Sequence, residues 1–257
     1  MGLFIVEFDL RARSPITVEN GDVIVDRGYS TVTVRNVETG STDDPANKAR
    51  LKANALLDEL CRQYEINLKI GNSWTVMLQD SPATRHIKEY ILKMTLKGGH
   101  RKRIPRVLKE VVIKPSDAKT YYREAVISTY PYDKFRNLYL AIENVASKIV
   151  VAKGKGSRRV LELDLLKIAL QECFSSNKQL LEEHSHVYGF ENTGDIFQDV
   201  ANFLYKRNRV QLSHSKASED KKIPFNPDDE WEVQVSLPLT ELVAKSLLSY
   251  EATHLLS

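Results

Sequence analysis

The spacing of apolar residues changes once along this chain of 257 residues, near Ser116. Before that point, short apolar runs alternate with polar residues, which is the pattern of half-buried strands. After it, apolar residues recur three and four positions apart, which is the pattern of amphipathic helices. The change predicts an α+β domain over residues 1–115, an antiparallel sheet with helices, followed by an all-α helical bundle over residues 116–257.

Turn and cap residues place the elements of the first half. The Asn-Gly pair at 20–21 and the Gly-Asn pair at 71–72 each lie between apolar runs, so each predicts a tight turn between antiparallel strands. Asp44 followed by Pro45 combines a cap residue with proline at the first helical position and predicts a helix to about Tyr64. We expect this half to bind a protein partner or to guide a substrate, and its sequence resembles no family that we recognise.

The second half predicts four or five helices. Apolar stripes at helical spacing predict helices over 135–149 and 161–169, and a shorter one is expected over 177–187. Apolar residues alternate over 231–237, which predicts a short strand, and Thr240 is expected to cap a final helix.

Charge is distributed unevenly although the net charge is only +3. Basic residues form two runs, and such runs attract phosphate backbones, although a solvated loop is the alternative for each. The candidate RNA-binding residues are Arg101, Lys102, Arg103, Lys153, Lys155, Arg158 and Arg159.

Cysteine usage and hydropathy indicate the compartment. Cys61 and Cys173 lie in segments that predict helices, which is typical of a reducing compartment and not of a disulfide framework. No segment is apolar over the roughly 18 residues that a membrane span needs, and the first residues lack the basic leader of a signal peptide. We therefore expect a cytoplasmic protein with no membrane span.

A helix predicted to begin near Gly194 carries the residues that bear most directly on function. At helical spacing its stripe is Ile196, Val200, Phe203 and Leu204, and then Arg207, Gln211 and His214. Burying a guanidinium and an imidazole without partners is costly, so we expect the stripe to leave the core and face a cleft or a subunit interface. An arginine and a histidine there suit an anionic substrate and proton transfer. The alternatives are an exposed pair or a pair that makes internal hydrogen bonds.

Arg207 is followed by Asn208 and, after six intervening residues, by His214. This pattern resembles the motif of the HEPN superfamily (higher eukaryotes and prokaryotes nucleotide-binding), whose members are small helical bundles. Arg209 matches the motif at its shorter spacing, but at about 100° per residue Arg209 is about 140° from His214, whereas Arg207 shares the face of His214. Residues 135–143 are similar to the first helix of the branch related to methylamine-utilisation and Apea-like proteins, so the resemblance spans roughly 132–256.

The resemblance implies a metal-independent endoribonuclease whose two active sites merge across a homodimer of the bundle. It implies no cofactor, RNA as the substrate, and a role in phage defence or a toxin system. By this resemblance Arg207, Asn208 and His214 are catalytic, and Glu143 and Gln211 are candidate supporting residues. The alternative is a non-catalytic HEPN-like module that binds RNA or a nucleotide, or that serves as a dimerisation scaffold.

One further cluster has residue types that bind metals. Glu182, Glu183, His184 and His186 lie close together in the sequence, but His-x-His without a cysteine partner is a weak signal. We therefore expect no metal site.

Overall fold

The structure is a computed structural model that describes residues 2–39, 44–78, 107–108, 111, 113–154, 160–187, 189–210 and 226–256. For residues 2, 107–108 and 207–210 it describes the backbone alone. The chain divides into two compact units, residues 1–113 and 114–257.

The first unit contains a mixed sheet in which all pairings but one are antiparallel. Its strands are β1 (Gly2–Leu10), β2 (Thr17–Asn20), β3 (Val23–Val25), β4 (Thr31–Thr39), β5 (Ile70–Leu78) and β6 (Val107–Leu108). The strand order is β5-β1-β4-β3-β2-β6, and only β6 runs parallel to its neighbour, β2. The predicted antiparallel sheet is therefore confirmed.

Helix α1 (Pro45–Tyr64) covers one face of this sheet. It begins where the sequence predicts, because the Asp44 carboxylate accepts a hydrogen bond of 2.9 Å from the backbone N–H of Ala46. It ends at Glu65, whose φ of 55° is left-handed and stops the helical hydrogen-bond pattern. The predicted helix is confirmed at both ends.

The two predicted turns have different outcomes. Asn20 ends β2 and pairs with Val23 of β3, and the two strands are joined by Gly21, with a φ of 56°, and Asp22, so this hairpin is confirmed. The prediction at 71–72 is wrong, because Gly71 and Asn72 lie inside the continuous strand β5. A Cβ atom at Gly71 would lie 3.2 Å from the carbonyl oxygen of Asp9, at an irregularity in the pairing of β1 and β5. Glycine here permits close backbone contact and does not make a turn.

The second unit is helical. Its α-helices are α2 (Asp117–Ile127), α3 (Pro131–Ala152), α4 (Glu162–Phe174), α5 (Lys178–His184), α6 (Ile196–Asn202) and α7 (Pro227–Tyr250). Two segments wind as π-helices: π1 (Phe203–Val210), which follows α6, and π2 (Glu251–Leu255), which follows α7. Helix α3 packs against α2, α4 and α7, so its apolar stripe lies at the centre of the unit. In the described ranges, no helix is both long and apolar enough to span a membrane.

The predicted strand over 231–237 is wrong, because these residues belong to α7. The helix begins at Pro227, where the Asn226 side chain accepts hydrogen bonds from the N–H groups of Asp228 and Asp229, at 3.0 and 3.4 Å. Thr240 is not a cap but lies inside the helix, with its hydroxyl donating to the carbonyl of the residue four positions earlier, at 2.8 Å. The first turn contains acidic side chains, which interact favourably with the positive end of the helix dipole. They stabilise a helix here, although the apolar residues alternate as they would in a strand.

Candidate functional site

Helix α6 precedes the predicted motif in the chain and carries the first part of its apolar stripe, and the first turn of α6 is tied to α4. The Asp195 carboxylate accepts a hydrogen bond from the N–H of Gln198 at 3.3 Å and forms an ion pair of 2.9 Å with Lys167 of α4. The Lys167 ammonium lowers the pKa of the Asp195 carboxyl. The cap and the ion pair together hold α6 against α4.

A buried carboxylate fixes the loop before this helix. Asp199 is 2% exposed, and it accepts hydrogen bonds from the N–H and the hydroxyl of Thr193, at 3.0 and 2.5 Å. Two donors compensate much of the cost of burying this side chain. The backbone that leads into α6 therefore has a defined position relative to the helix.

The apolar stripe before the motif is buried, as predicted. Its members are exposed by at most 7%: Ile196, Val200, Phe203 and Leu204. The ring of Phe203 lies 5.6 Å from that of Phe190, between ring centroids. The segment is therefore held in the core of the second unit up to Leu204.

The winding of the backbone changes where the motif begins. The predicted helix is α-helical only to Asn202, and π1 carries the backbone of Arg207 and Asn208. Over residues 203–210 the premise of about 100° per residue is therefore wrong, since a π-helix has hydrogen bonds between residues five apart. Gln211 and His214 lie outside the described residues.

Glu143, the other candidate supporting residue, lies on α3 and is half-buried. Helix α3 contacts π1, so Glu143 is on one of the helices that neighbour the motif. Its proposed role beside Arg207 or His214 stays a prediction.

Of the candidate RNA-binding residues, only Lys153 lies within the described residues. It ends α3, and its Nζ is 2.5 Å from a carboxylate oxygen of Glu172 on α4. The lysine charge is therefore compensated within the protein. The other candidates lie outside the described residues: Arg101, Lys102, Arg103, Lys155, Arg158 and Arg159.

Glu172 is the centre of a small polar array at the ends of three helices. Besides Lys153, it accepts a hydrogen bond of 3.1 Å from the hydroxyl of Tyr250. The Lys153 ammonium lowers the pKa of the Glu172 carboxyl, whereas burial, and then the Glu172 carboxylate, raise the pKa of Tyr250. The ring of His254 stacks on that of Tyr250, with 4.3 Å between centroids. The array joins α3, α4 and α7 at their C-terminal ends.

Sequence reasoning missed a buried ion pair in the same unit. Glu251 is fully buried, and its carboxylate lies 2.6 Å from the Nζ of Lys148 on α3 and 2.8 Å from the Ser116 hydroxyl, which donates to it. A signal exists in the sequence, because Glu251 follows Val243 and Leu247 at intervals of four on one helical stripe. A charged residue in such a stripe indicates a buried partner.

The acidic and histidine residues near 182–186 do not form a metal site in the structure. His184 is exposed, and its Nδ1 lies 3.0 Å from the carbonyl oxygen of Leu180. Within the described part of the chain, no three His, Cys, Asp or Glu side chains group together as ligands of a metal ion.

Comparisons with known proteins do not identify a family. No family model matches the chain, and neither the curated proteins nor the solved structures give a match.

Proposed function

We propose that this protein is a metal-independent endoribonuclease of the HEPN type, with Arg207, Asn208 and His214 as its catalytic residues. The observation that carries the proposal is the course of the motif helix. Its stripe is buried up to Leu204, and the backbone then departs from α-helical winding over the residues that include Arg207 and Asn208. π-helical segments are frequent at functional sites.

The chemistry of RNA cleavage fits these residue types. The 2′-oxygen of the ribose attacks the adjacent phosphorus while a base removes its proton, and the bond from phosphorus to the 5′-oxygen breaks as an acid protonates that oxygen. The products are a 2′,3′-cyclic phosphate and a 5′-hydroxyl. His214 exchanges the protons, because imidazole titrates near neutral pH. Arg207 offers two parallel donors to the phosphate oxygens, on which negative charge grows.

The same chemistry favours a homodimer. The reaction needs both a base and an acid, and one protomer supplies a single His214. A two-fold dimer brings two copies of the same surface together and so supplies two histidines to one site. Light scattering on the purified protein is expected to give about twice the chain mass of 29.3 kDa. A strict monomer at micromolar concentration would count against the composite site.

The decisive experiment is an incubation of the purified protein with single-stranded RNA, with and without EDTA. We expect cleavage in both conditions, 2′,3′-cyclic phosphate ends, and no cleavage of DNA, which has no 2′-hydroxyl. His214→Ala is expected to lower the rate by about 10²- to 10⁴-fold, and Arg207→Ala by about 10²- to 10³-fold. His184→Ala is the matched control, since this histidine is exposed and remote in sequence from the motif.

Each other result has a definite meaning. Loss of cleavage in EDTA would show that a metal takes part and would reject the metal-free scheme. A wild-type protein that binds RNA but never cleaves it would favour the non-catalytic module.

A further inference from the structure

Strand β5 lies at one end of the strand order of the sheet, and β1 is its one neighbouring strand in the described part of the chain. An open strand edge is a template for pairing with another chain, and proteins usually protect it with charged residues, proline or a bulge. The nine residues Ile70–Leu78 include no charged residue and no proline. The irregularity in the pairing with β1 lies before Trp74, so β5 is regular from there to Leu78. This stretch therefore lacks the protection expected of an edge strand.

Three large apolar side chains of β5 are exposed. The exposed fractions are 51% for Trp74, 40% for Val76 and 56% for Leu78. Alternate residues of a strand lie on the same side of the sheet, so these three form one row. Their partners in β1 belong to the apolar core beneath α1 or pack against it. The row therefore continues that core to the edge of the sheet, where it is left in contact with solvent.

The row is symmetric about Val76, which indicates what can cover it. If β5 pairs with its own copy in antiparallel fashion about a two-fold axis at Val76, Trp74 lies opposite the partner's Leu78, and Val76 lies opposite the partner's Val76. Each of the three exposed apolar side chains then has an apolar side chain opposite it, and cross-strand apolar pairs stabilise antiparallel strands. Because β5 has no charged residue, this pairing buries no charge from either strand. A second copy of the chain is thus a self-complementary partner for this edge.

We infer that two copies of the chain pair through β5 as antiparallel edge strands centred on Val76. This interface belongs to the first unit and is distinct from the dimer of the helical bundle, so the inference goes beyond the proposed function. A half-exposed tryptophan has on the order of 100 Å² left to bury. Three such side chains from each copy give an interface below the roughly 1,200 Å² at which standard interfaces begin. The association is therefore weak and depends on protein concentration.

Disulfide trapping tests the register of the pairing. Val76→Cys is made in a Cys173→Ser background, where the remaining native thiol, Cys61, is buried. Opposite Cα atoms of an antiparallel pair are about 4.5–5.5 Å apart, within the range that a disulfide bridges. With oxidised glutathione as the oxidant, we expect a covalent dimer.

Ser73→Cys in the same background is the matched control, because Ser73 is also exposed on β5. In the inferred register the two copies of position 73 are six residues apart along the paired strands, about 20 Å, which is too far for a disulfide. We expect its covalent dimer to form at least about tenfold more slowly than that of Val76→Cys.

The mass of the full-length protein as a function of concentration gives a second readout. Val76→Lys places two ammonium groups opposite each other at the two-fold axis, and like charges directly opposite destabilise a strand pair. Leu51→Lys makes the same change of charge at a side chain of α1 that is 73% exposed. By light scattering, we expect the mass of the wild type and of Leu51→Lys to rise with concentration, and that of Val76→Lys to stay constant. Circular dichroism of each variant checks that the fold is retained.

The outcomes separate this interface from the dimer of the bundle. If dilute protein is a monomer but Val76→Cys cross-links with the expected preference, the β5 interface stands and the bundle dimer fails. If dilute protein is a dimer and Val76→Lys abolishes only the further association, both interfaces stand. Equal cross-linking of Val76→Cys and Ser73→Cys, or equal concentration dependence of Val76→Lys and Leu51→Lys, would show that β5 does not pair with a second copy, and the inference would be wrong.

Discussion

The buried pair of Lys148 and Glu251 offers the sharpest test of how the second unit is stabilised. Glu251 is fully buried, whereas the Lys148 side chain is 38% exposed. Lys148→Met keeps the length and apolar stem of the side chain but removes the ammonium. The carboxylate then keeps the Ser116 hydroxyl, which has one proton to donate to its two oxygens.

The expected loss of stability in Lys148→Met follows from this geometry. Removing one partner of a buried ion pair typically costs about 3–5 kcal/mol, because the remaining charge is left uncompensated. Since Lys148 is partly exposed, water can replace some of its contact, so we expect the lower end, about 3 kcal/mol. At about 2–4 °C per kcal/mol for a unit of this size, Tm falls by about 6–12 °C.

Tryptophan fluorescence can follow the two units separately. The chain has two tryptophans, Trp74 in the first unit and Trp231 in the second. In a Trp74→Phe background, guanidinium unfolding is monitored through Trp231 alone, which avoids treating two units as one transition. Lys178→Met is the matched control, because the pair of Lys178 and Glu182 is about half-exposed on both sides. Its expected cost is below about 0.5 kcal/mol.

A double variant distinguishes charge from packing. Lys148→Met combined with Glu251→Met removes both charges, and we expect it to recover at least about 1 kcal/mol relative to Lys148→Met alone. If Lys148→Met costs no more than the Lys178 control, the ion pair does not compensate the buried carboxylate, and the reasoning is refuted.

Three further predictions concern single sites. Asp44→Ala removes the cap of α1 and is expected to cost about 1 kcal/mol in the unfolding of the first unit, followed by Trp74 fluorescence. Gly71→Ala places a methyl group 3.2 Å from the carbonyl oxygen of Asp9, so the same assay should show destabilisation, and an unchanged midpoint would contradict the close-contact role. The pKa of Glu172 is lowered from its ordinary value of 4.5, so its ionised form stabilises the fold above that pH, and this contribution is lost as pH falls through the lowered pKa. Lys153→Met should therefore make the free energy of unfolding fall less steeply as the pH is lowered below 4.5. If the variant and the wild type lose stability equally with falling pH, the pair of Lys153 and Glu172 is not the cause of that loss.

Local chemistry accounts for the predictions that are confirmed. The cap at Asp44, the proline at Pro45 and the turn at Gly21 depend on the conformations of a few adjacent residues. The Asp44 carboxylate accepts a hydrogen bond from a nearby N–H, proline has a fixed φ, and glycine adopts a positive φ without strain. Each of these properties favours the same local structure in almost any surroundings. These elements therefore lie where the sequence predicts them.

The wrong predictions occur where one pattern has two physical meanings. Gly71 satisfies the rule for a turn, but it lies in a strand whose backbone approaches Asp9. Apolar residues alternate between Trp231 and Leu237, yet the Asn226 cap and the acidic first turn start a helix there. In both places, residues outside the pattern determine which secondary structure forms.

The sequence alone determines the class of each half, the cap at Asp44 and the buried stripe that ends at Leu204, because these depend on spacing and on short-range hydrogen bonds. The tertiary structure decides the π-helical winding after Asn202, which includes the backbone of Arg207 and Asn208. It also decides that Glu251 is buried beside Lys148, although the two are far apart in the sequence. Winding and burial depend on the packing of several helices at once, and residue spacing along one helix does not identify which residues of other helices it contacts.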